Sequence, residues 1–453
     1  MKVLYLIVLV LPFCKVSRRT EMLIQLIRHG SRNPIFKIKN IHTDKSSMAY
    51  ITTVGMRSSF LLGAAVRKKY NEFFDRLETP RAMYAKASSK ERTMMTGAAF
   101  FYGLSYRNKK QVLNDNDDST FKPPIKDYNV DYGHLSDAAL PYNFYPLPIS
   151  TYYRNNMYLN GLHNCPKSGK SVHLFTNEYS ETIIKYLQPT IRYLESLGYT
   201  AEETFNTTTM NFRQLSYLCD TLIAKMWTQS PKQPIDNTLK RHCEYVLAIS
   251  LFIVYQNDKL AEDVRLPLYM LFKDVINSYN QIKTPMYAPV FAHDNTIASF
   301  FSFSRKNFDC IFQAYKRELV EGGSKVDDPG CITNVPYNAN ITVEVFSKRN
   351  SDKLYVEGLY NGTKYDLCNT KGDCTLEYFM DMLKTKSSKY DYNYVCGTEV
   401  VEHLNHKPAF KLLIAVVLSS TVGLLMVVYL FNITKRKQDK NITKEFESKT
   451  EVV

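Results

Sequence analysis

Apolar residues in this chain fall either into short unbroken runs or into longer stretches of helical period, and the two patterns separate strands from helices. The run EMLIQLI (21–27) ends abruptly at Arg28-His29-Gly30. Its length and Ile/Leu content predict a strand of a parallel or mixed sheet, buried on both faces, with polar residues at its carboxyl end. AMYAKASS (82–89) reads as a second strand running into a polar loop. APVFAHDNTIASF (288–300) reads as a third, with His293-Asp294 at its tip. Two later runs, ITVEVFSK (341–348) and KLYVEGLYN (353–361), are β-like. TTVGMRSSFLLGAAVRKKY (52–70) has helical spacing, with Phe60, Leu61, Ala64, Ala65 and Val66 on one side, and ERTMMTGAAFFYGL (91–104) is a second helix. Strand, polar tip and helix in alternation predict an α/β fold.

From 105 to 286 the pattern changes. A Pro/Tyr/Asn-rich stretch (121–153) offers few regular elements, and amphipathic helices are expected around 182–197, 211–227 and 239–255. The expected architecture is a mixed central sheet flanked by helices on both faces, built from 18–104 and 287–400. A mostly helical cap, 105–286, is inserted into it, and 401–411 forms a linker.

The two ends carry topology signals. At the N-terminus, Lys2 precedes an apolar stretch from Val3 to Cys14. As a helix that stretch spans only about 18 Å, too short for a bilayer, so 1–17 reads as a signal peptide. Near the other end, 412–431 (LLIAVVLSSTVGLLMVVYLF) contains no charge. At 1.5 Å per residue it reaches about 30 Å, the thickness of the hydrocarbon core. Lys435, Arg436 and Lys437 follow it, which predicts a transmembrane helix with 432–453 as cytoplasmic tail. The sequence thus predicts a single-pass type I membrane protein, its main domain luminal (lysosome or endosome) or extracellular.

Composition changes the picture in three places. The formal net charge is +14, but Lys and Arg are scattered instead of clustered with aromatics, which argues against a nucleic-acid partner. Of nine cysteines, removing Cys14 of the signal leaves eight, all ahead of the apolar stretch: Cys165, Cys219, Cys243, Cys310, Cys331, Cys368, Cys374 and Cys396. An even number in a secretory context points to disulfides, with 105 connectivities open. No CxxC pair is present, and His403 and His406 lack further ligands, so no metal site is expected. Sequons at Asn206, Asn340 and Asn361 are candidate glycosylation sites.

The candidate chemistry sits at the tips of the three predicted strands: Arg28-His29-Gly30-Ser31-Arg32-Asn33-Pro34, Arg92, and His293-Asp294. Ligands of open α/β sheets bind at that edge. Three guanidiniums suit a phosphate dianion, an imidazole beside them can act as nucleophile, and a carboxyl can protonate a leaving oxygen. The arginines supply the charge stabilisation, so no cofactor is implied.

RHGSRNP resembles the RHGxRxP signature of the histidine acid phosphatases, the prostatic and lysosomal branch of the histidine phosphatase superfamily. FAHDNTIAS resembles that family's second signature. SSKERTMMTGAAFFYGL resembles the stretch around its third phosphate-binding arginine, and LCDTL (218–222) a cap segment. The similarity covers 22 to about 396. It implies that His29 is the nucleophile and Asp294 the proton donor, with Arg28, Arg32, Arg92 and His293 binding phosphate. Ser31, Asn33 and Asn295 depart from the residues usual in animal enzymes. The resemblance also suggests disulfides Cys368–Cys374, Cys165–Cys396 and Cys219–Cys310, leaving Cys243–Cys331, and a homodimer.

The function so implied is an acid phosphatase acting on a small-molecule phosphate monoester or a phosphoprotein through a phosphohistidine. The alternatives are a selective phosphatase of inositol phosphates or lysophosphatidic acid, and a non-catalytic surface relative of the fold.

Overall fold

The first strand, β1 (Arg18–Arg28), runs through the middle of the molecule. Met22, Ile24 and Leu26 enter one core cluster, while Leu23 and Ile27 enter another. Successive side chains of a strand point to opposite faces, so this alternation means that both faces are covered. Each of these Leu and Ile side chains gains about 1.5–3 kcal/mol from full burial.

The computed structural model describes residues 18–39, 41, 45–77, 82–105, 146–151, 166–228, 236–303, 307–324, 331–349, 351–368, 372–390 and 395. The expected signal, the 412–431 stretch and its tail, Cys165, Cys396, His403 and His406 lie outside them. Among the described residues, no helix is long and apolar enough to cross a membrane.

After β1 come α1 (Thr53–Lys69), α2 (Asn71–Asp75), β2 (Lys86–Ala87), α3 (Glu91–Ser105) and β3 (Ser150–Thr151). The described helices between β3 and the next strand are α4 (Pro166–Tyr186), α5 (Gln188–Ser196), α6 (Ala201–Phe205), α7 (Phe212–Thr228), α8 (Asn237–Phe252) and α9 (Asp258–Ile282). Then β4 (Met286–Ala292) leads into α10 (Asp294–Phe301) and α11 (Asn307–Tyr315). The chain continues through β5 (Asn340–Lys348), β6 (Leu354–Tyr360), β7 (Thr363–Tyr365) and α12 (Leu376–Thr385).

The strands form one mixed sheet in the order β3-β2-β4-β1-β5-β6-β7. β1 is parallel to β4, β4 to β2 and β2 to β3, whereas β5, β6 and β7 pair antiparallel. One face is covered by α1 and α3 through Val66, Phe100 and Phe101. On the other, residues of α5, α7, α8, α9, α10, α11 and α12 share a single core with the sheet.

α1 departs from the face its apolar residues suggest. Its buried positions are Gly55, Ser59, Gly63 and Val66, and Leu61 is 56% exposed. The cause is the closeness of α3. A Cβ on Gly63 would lie 2.0 Å from the Phe100 carbonyl oxygen, and one on Gly103 would lie 1.9 Å from that of Phe60. The two helices meet backbone to backbone, so small residues, not large apolar ones, mark the contact. The helix expected over 182–197 is instead two, α4 and α5, divided at Leu187, with Pro189 in the first turn of the second. α9, with Pro267 inside it, has no counterpart among the sequence expectations.

The expected disulfides are partly corrected. Cys368–Cys374 is present. Cys310 is bonded to Cys331, 21 residues on and 5.7 Å away between Cα atoms, so the expected Cys219–Cys310 and Cys243–Cys331 pairs do not form. Cys219 and Cys243 are buried thiols on the neighbouring helices α7 and α8. Cys165–Cys396 involves residues outside those described.

Candidate active site

Parallel pairing fixes where the chemistry lies. The β1–β4 register ends on Arg28↔Ala292, so the next residues, His29 and His293, leave the sheet side by side. The His29 amide donates to the Ala292 carbonyl at 3.0 Å, and the two imidazole centroids are 5.4 Å apart. β2 reaches the same edge: Ala87 pairs with Phe291, and Ser88 Oγ lies 2.9 Å from His293 Nε2. Three strand tips predicted separately therefore meet.

The loop after β1 is held to both covering helices. Gly30 donates its amide to Thr96 Oγ1 on α3 at 2.9 Å, and Thr52, the N-cap of α1, donates its amide to the Ser31 carbonyl at 2.9 Å. A side chain on Gly30 would collide with the Gly55 carbonyl at 2.5 Å, which explains the glycine after the histidine. Ser31 and Asn33, two of the three departures from the family pattern, face the scaffold: Ser31 Oγ meets Thr52 Oγ1 and Asn33 Nδ2 donates to the Ser47 carbonyl.

His29 is 2% exposed. Its Nδ1 lies 2.8 Å from the carbonyl of Gly30, an acceptor only, so the proton of the neutral ring sits on Nδ1 and the lone pair on Nε2. Around it stand the guanidiniums. Arg28 is ion-paired to Asp294 Oδ2 at 2.8 Å and also donates to the Val335 carbonyl. Arg32 is ion-paired to Asp220 Oδ1 at 2.7 Å. Arg92 Nη2 lies 3.4 Å from His293 Nδ1. The structure brings all six sequence-predicted residues together.

Their electrostatics follow from burial and from one another. Burial first, then Arg92, His293, Arg28 and Arg32, hold the His29 imidazole well below its usual range, which keeps it unprotonated in acid. His293 is pushed down to about 3 by burial and Arg92, despite Asp294. Arg92 falls to about 10 through burial and Arg32, so it stays a cation at any working pH. For Asp294, burial acts upward, but Arg28, His293 and Arg32 outweigh it and hold the carboxyl below its usual range. In the free site Asp294 is a carboxylate.

Two residues here escape the sequence reading. Asp220, from α7, anchors Arg32, and its Oδ2 is buried without a hydrogen-bond partner. Tyr337 places its ring 4.5 Å from the Arg28 guanidinium carbon and 5.8 Å from the His29 ring. Its hydroxyl is likewise buried and unpartnered. Asp220 lies within the LCDTL segment that carried part of the resemblance; nothing in the sequence marks Tyr337. Among the described residues, no three His, Cys, Asp or Glu side chains are grouped to hold a metal. Of the sequons, Asn206 and Asn361 are exposed and Asn340 is half-buried.

Comparison with known proteins bears directly on this arrangement. Residues 20–361 match the model of the histidine phosphatase superfamily, branch 2. The chain belongs to the histidine phosphatase superfamily. The matched span contains every residue of the site described above. Among curated relatives, the lysosomal acid phosphatase of Xenopus laevis is 26% identical over 104 residues, covering 22% of this chain and 24% of that one. The match thus spans about a quarter of that relative's length. Among solved structures, the phytase from Citrobacter braakii superposes with a TM-score of 0.55 at 13% identity, over 83% of this chain and 99% of that one. The Klebsiella sp ASR1 phytase gives 0.52 at 13%, covering 82% and 97%. The Hafnia alvei phytase gives 0.51 at 14%, covering 84% and 98%. At these identities the likeness is one of fold.

Proposed function

We propose that this histidine phosphatase superfamily member hydrolyses phosphate monoesters under acidic conditions, with His29 as nucleophile. The observation that carries the reading is the 2.8 Å contact of His29 Nδ1 with the Gly30 carbonyl, which leaves the lone pair on Nε2 of a ring that has three arginines as neighbours. An imidazole in solution protonates below about pH 6.5 and stops being a nucleophile; burial and the arginines hold this one well below that range.

In the proposed reaction Arg28, Arg32 and Arg92 bind the phosphate oxygens, assisted by His293. Nε2 of His29 attacks phosphorus, the P–O bond to the alcohol breaks, and Asp294 delivers a proton to the departing oxygen. Asp294 is a carboxylate while paired with Arg28. A bound phosphate dianion draws on the same guanidinium, weakens that pairing and raises the carboxyl's proton affinity, so substrate and proton enter together. In the second step a water gives its proton to the Asp294 carboxylate and its oxygen to phosphorus. The N–P bond breaks and inorganic phosphate leaves. We further propose a type I topology, with the domain outside the cytosol, anchored through 412–431 and bearing glycans at exposed sequons.

The test is hydrolysis of phenyl phosphate at about pH 5 by the full-length protein and by His29→Ala. Loss of turnover of about a thousandfold or more, with the thermal transition retained, is expected. A folded wild-type protein that is inert on several monoesters across the acidic and neutral range overturns the reading.

A further inference from the structure

Beside Arg28 lies a pocket open to solvent, with Arg28, Asp294 and Tyr337 in its lining. An alcohol whose phosphate sits on the arginines and whose oxygen faces Asp294 has this pocket as its neighbour. The walls come from α7 and α8: Ile223 and Trp227 on one side, Leu247 and Leu251 on the other. Trp227 stands edge-on to the Tyr337 ring, with centroids 6.2 Å apart and planes at 86°, and is 38% exposed.

Charge along this lining is balanced. The described lining residues include two cations, Arg28 and Lys240, and two anions, Asp294 and Glu244. Glu244 is fixed in place: Asn334 Nδ2 donates to it at 2.6 Å, Arg241 at 2.9 Å, and Lys240 lies 3.9 Å away. A substrate with several phosphate groups needs a cation for each, because an anion set against Leu, Ile and Trp loses its hydration without compensation. Among the described residues, Ile223, Trp227, Leu247 and Leu251 instead give this lining an apolar part.

We infer that this pocket receives an apolar leaving group, so the substrates are monophosphates of aromatic or alkyl alcohols and not polyphosphorylated polyols. The inference rests on the phosphatase reading and adds the substrate class to it. Trp227 and Leu251 are its specificity-determining residues, and neither touches the phosphate arginines in the contacts described above.

The test compares kcat/KM of the full-length protein for phenyl phosphate, decyl phosphate, glycerol 2-phosphate and inositol hexakisphosphate. Apolar contacts discriminate by tenfold or somewhat more. At least one of the first two is therefore expected to exceed glycerol 2-phosphate by about tenfold, with inositol hexakisphosphate poorest. Phenyl ahead of decyl assigns the pocket to an aromatic alcohol, and the reverse order to an alkyl chain. In Trp227→Ala, and separately in Leu251→Lys, the ratio of the preferred substrate to glycerol 2-phosphate is expected to fall about tenfold. Thermal unfolding checks that each variant is folded. Flat selectivity, or preference for inositol hexakisphosphate, overturns this inference and leaves the phosphatase reading standing. No turnover of any of the four overturns both.

Discussion

Arg28 and Asp294 are joined by a 2.8 Å ion pair at the tips of adjacent parallel strands, one residue before and one residue after the two histidines of the site. The residue proposed to give up a proton is thus bound, in the free protein, to a cation that keeps it deprotonated. Arg32 and Asp220 repeat the arrangement 2.7 Å apart. Two of the three guanidiniums are therefore neutralised by carboxylates until a phosphate dianion competes for them.

If Asp294 protonates the leaving oxygen, Asp294→Asn should depend on leaving-group chemistry. General acid catalysis contributes about 10²–10⁴-fold. An alkyl phosphate should lose activity in that range, whereas 4-nitrophenyl phosphate, whose leaving group needs no proton, should lose about tenfold or less. Steady-state kinetics with both substrates decides it, and equal losses would remove Asp294 from the acid role.

Asp220→Asn should leave Arg32 as a buried cation without its counter-ion, facing Arg92. Breaking a buried pair from one side costs about 3–5 kcal/mol. A lower thermal midpoint is expected. Saturating inorganic phosphate or vanadate should raise that midpoint more than in the wild type, because the anion replaces the missing charge. Equal ligand-induced shifts would mean that Asp220 does not act on the phosphate site.

The buried histidines set a pH dependence of stability. His293 is held at about 3 and His242 at about 4, in both cases chiefly by burial, against 6.5 for a free imidazole. As pH falls through 6.5 the unfolded chain takes up protons that the folded chain refuses. The stability these groups contribute is present above pH 6.5 and lost as pH falls toward 4 and 3. Asp294, depressed below 3.8, adds a loss only below that pH. The thermal midpoint should decline from pH 6.5 to 4, and His242→Gln should flatten part of the slope. A midpoint independent of pH over that window would contradict the assignment.

Gly103→Ala and Gly63→Ala place a methyl group inside the α1–α3 contact, at 1.9 and 2.0 Å from carbonyl oxygens. Backbone must move to admit it, and overpacking of this kind costs about 1–3 kcal/mol or more. Because α3 carries Arg92, phosphate inhibition should weaken along with thermal stability. Circular dichroism melts and phosphate inhibition constants are the measurements.

Much of the site is legible in the sequence because its chemistry sits at the ends of apolar runs. EMLIQLI and the apolar part of APVFAHDNTIASF are both buried strands, so the polar residues that end them share an edge once the strands pair. The register of that pairing, which sets His29 beside His293, is visible only in the fold. Asp220 and Tyr337 sit on a helix and on a segment before β5, and only packing brings them to the strand tips. The face of α1 is misread because apolar periodicity favours Leu61 and Ala64, while a backbone contact selects glycine. Two of the expected disulfides fail for a related reason: Cys219–Cys310 is carried over from relatives and Cys243–Cys331 is what it leaves, whereas folding places Cys331 5.7 Å from Cys310.

The Gly63–Gly103 contact has a mechanical consequence. The N-cap of α1 holds the loop that follows His29, and α3 carries both Arg92 and the Thr96 that binds Gly30. The backbones that carry the nucleophile loop and the third arginine are therefore set against each other partly by a direct main-chain contact between α1 and α3. A contact between two backbones has no side-chain rotamers through which to yield, so α1 and α3 form a stiff mount for that loop and that arginine.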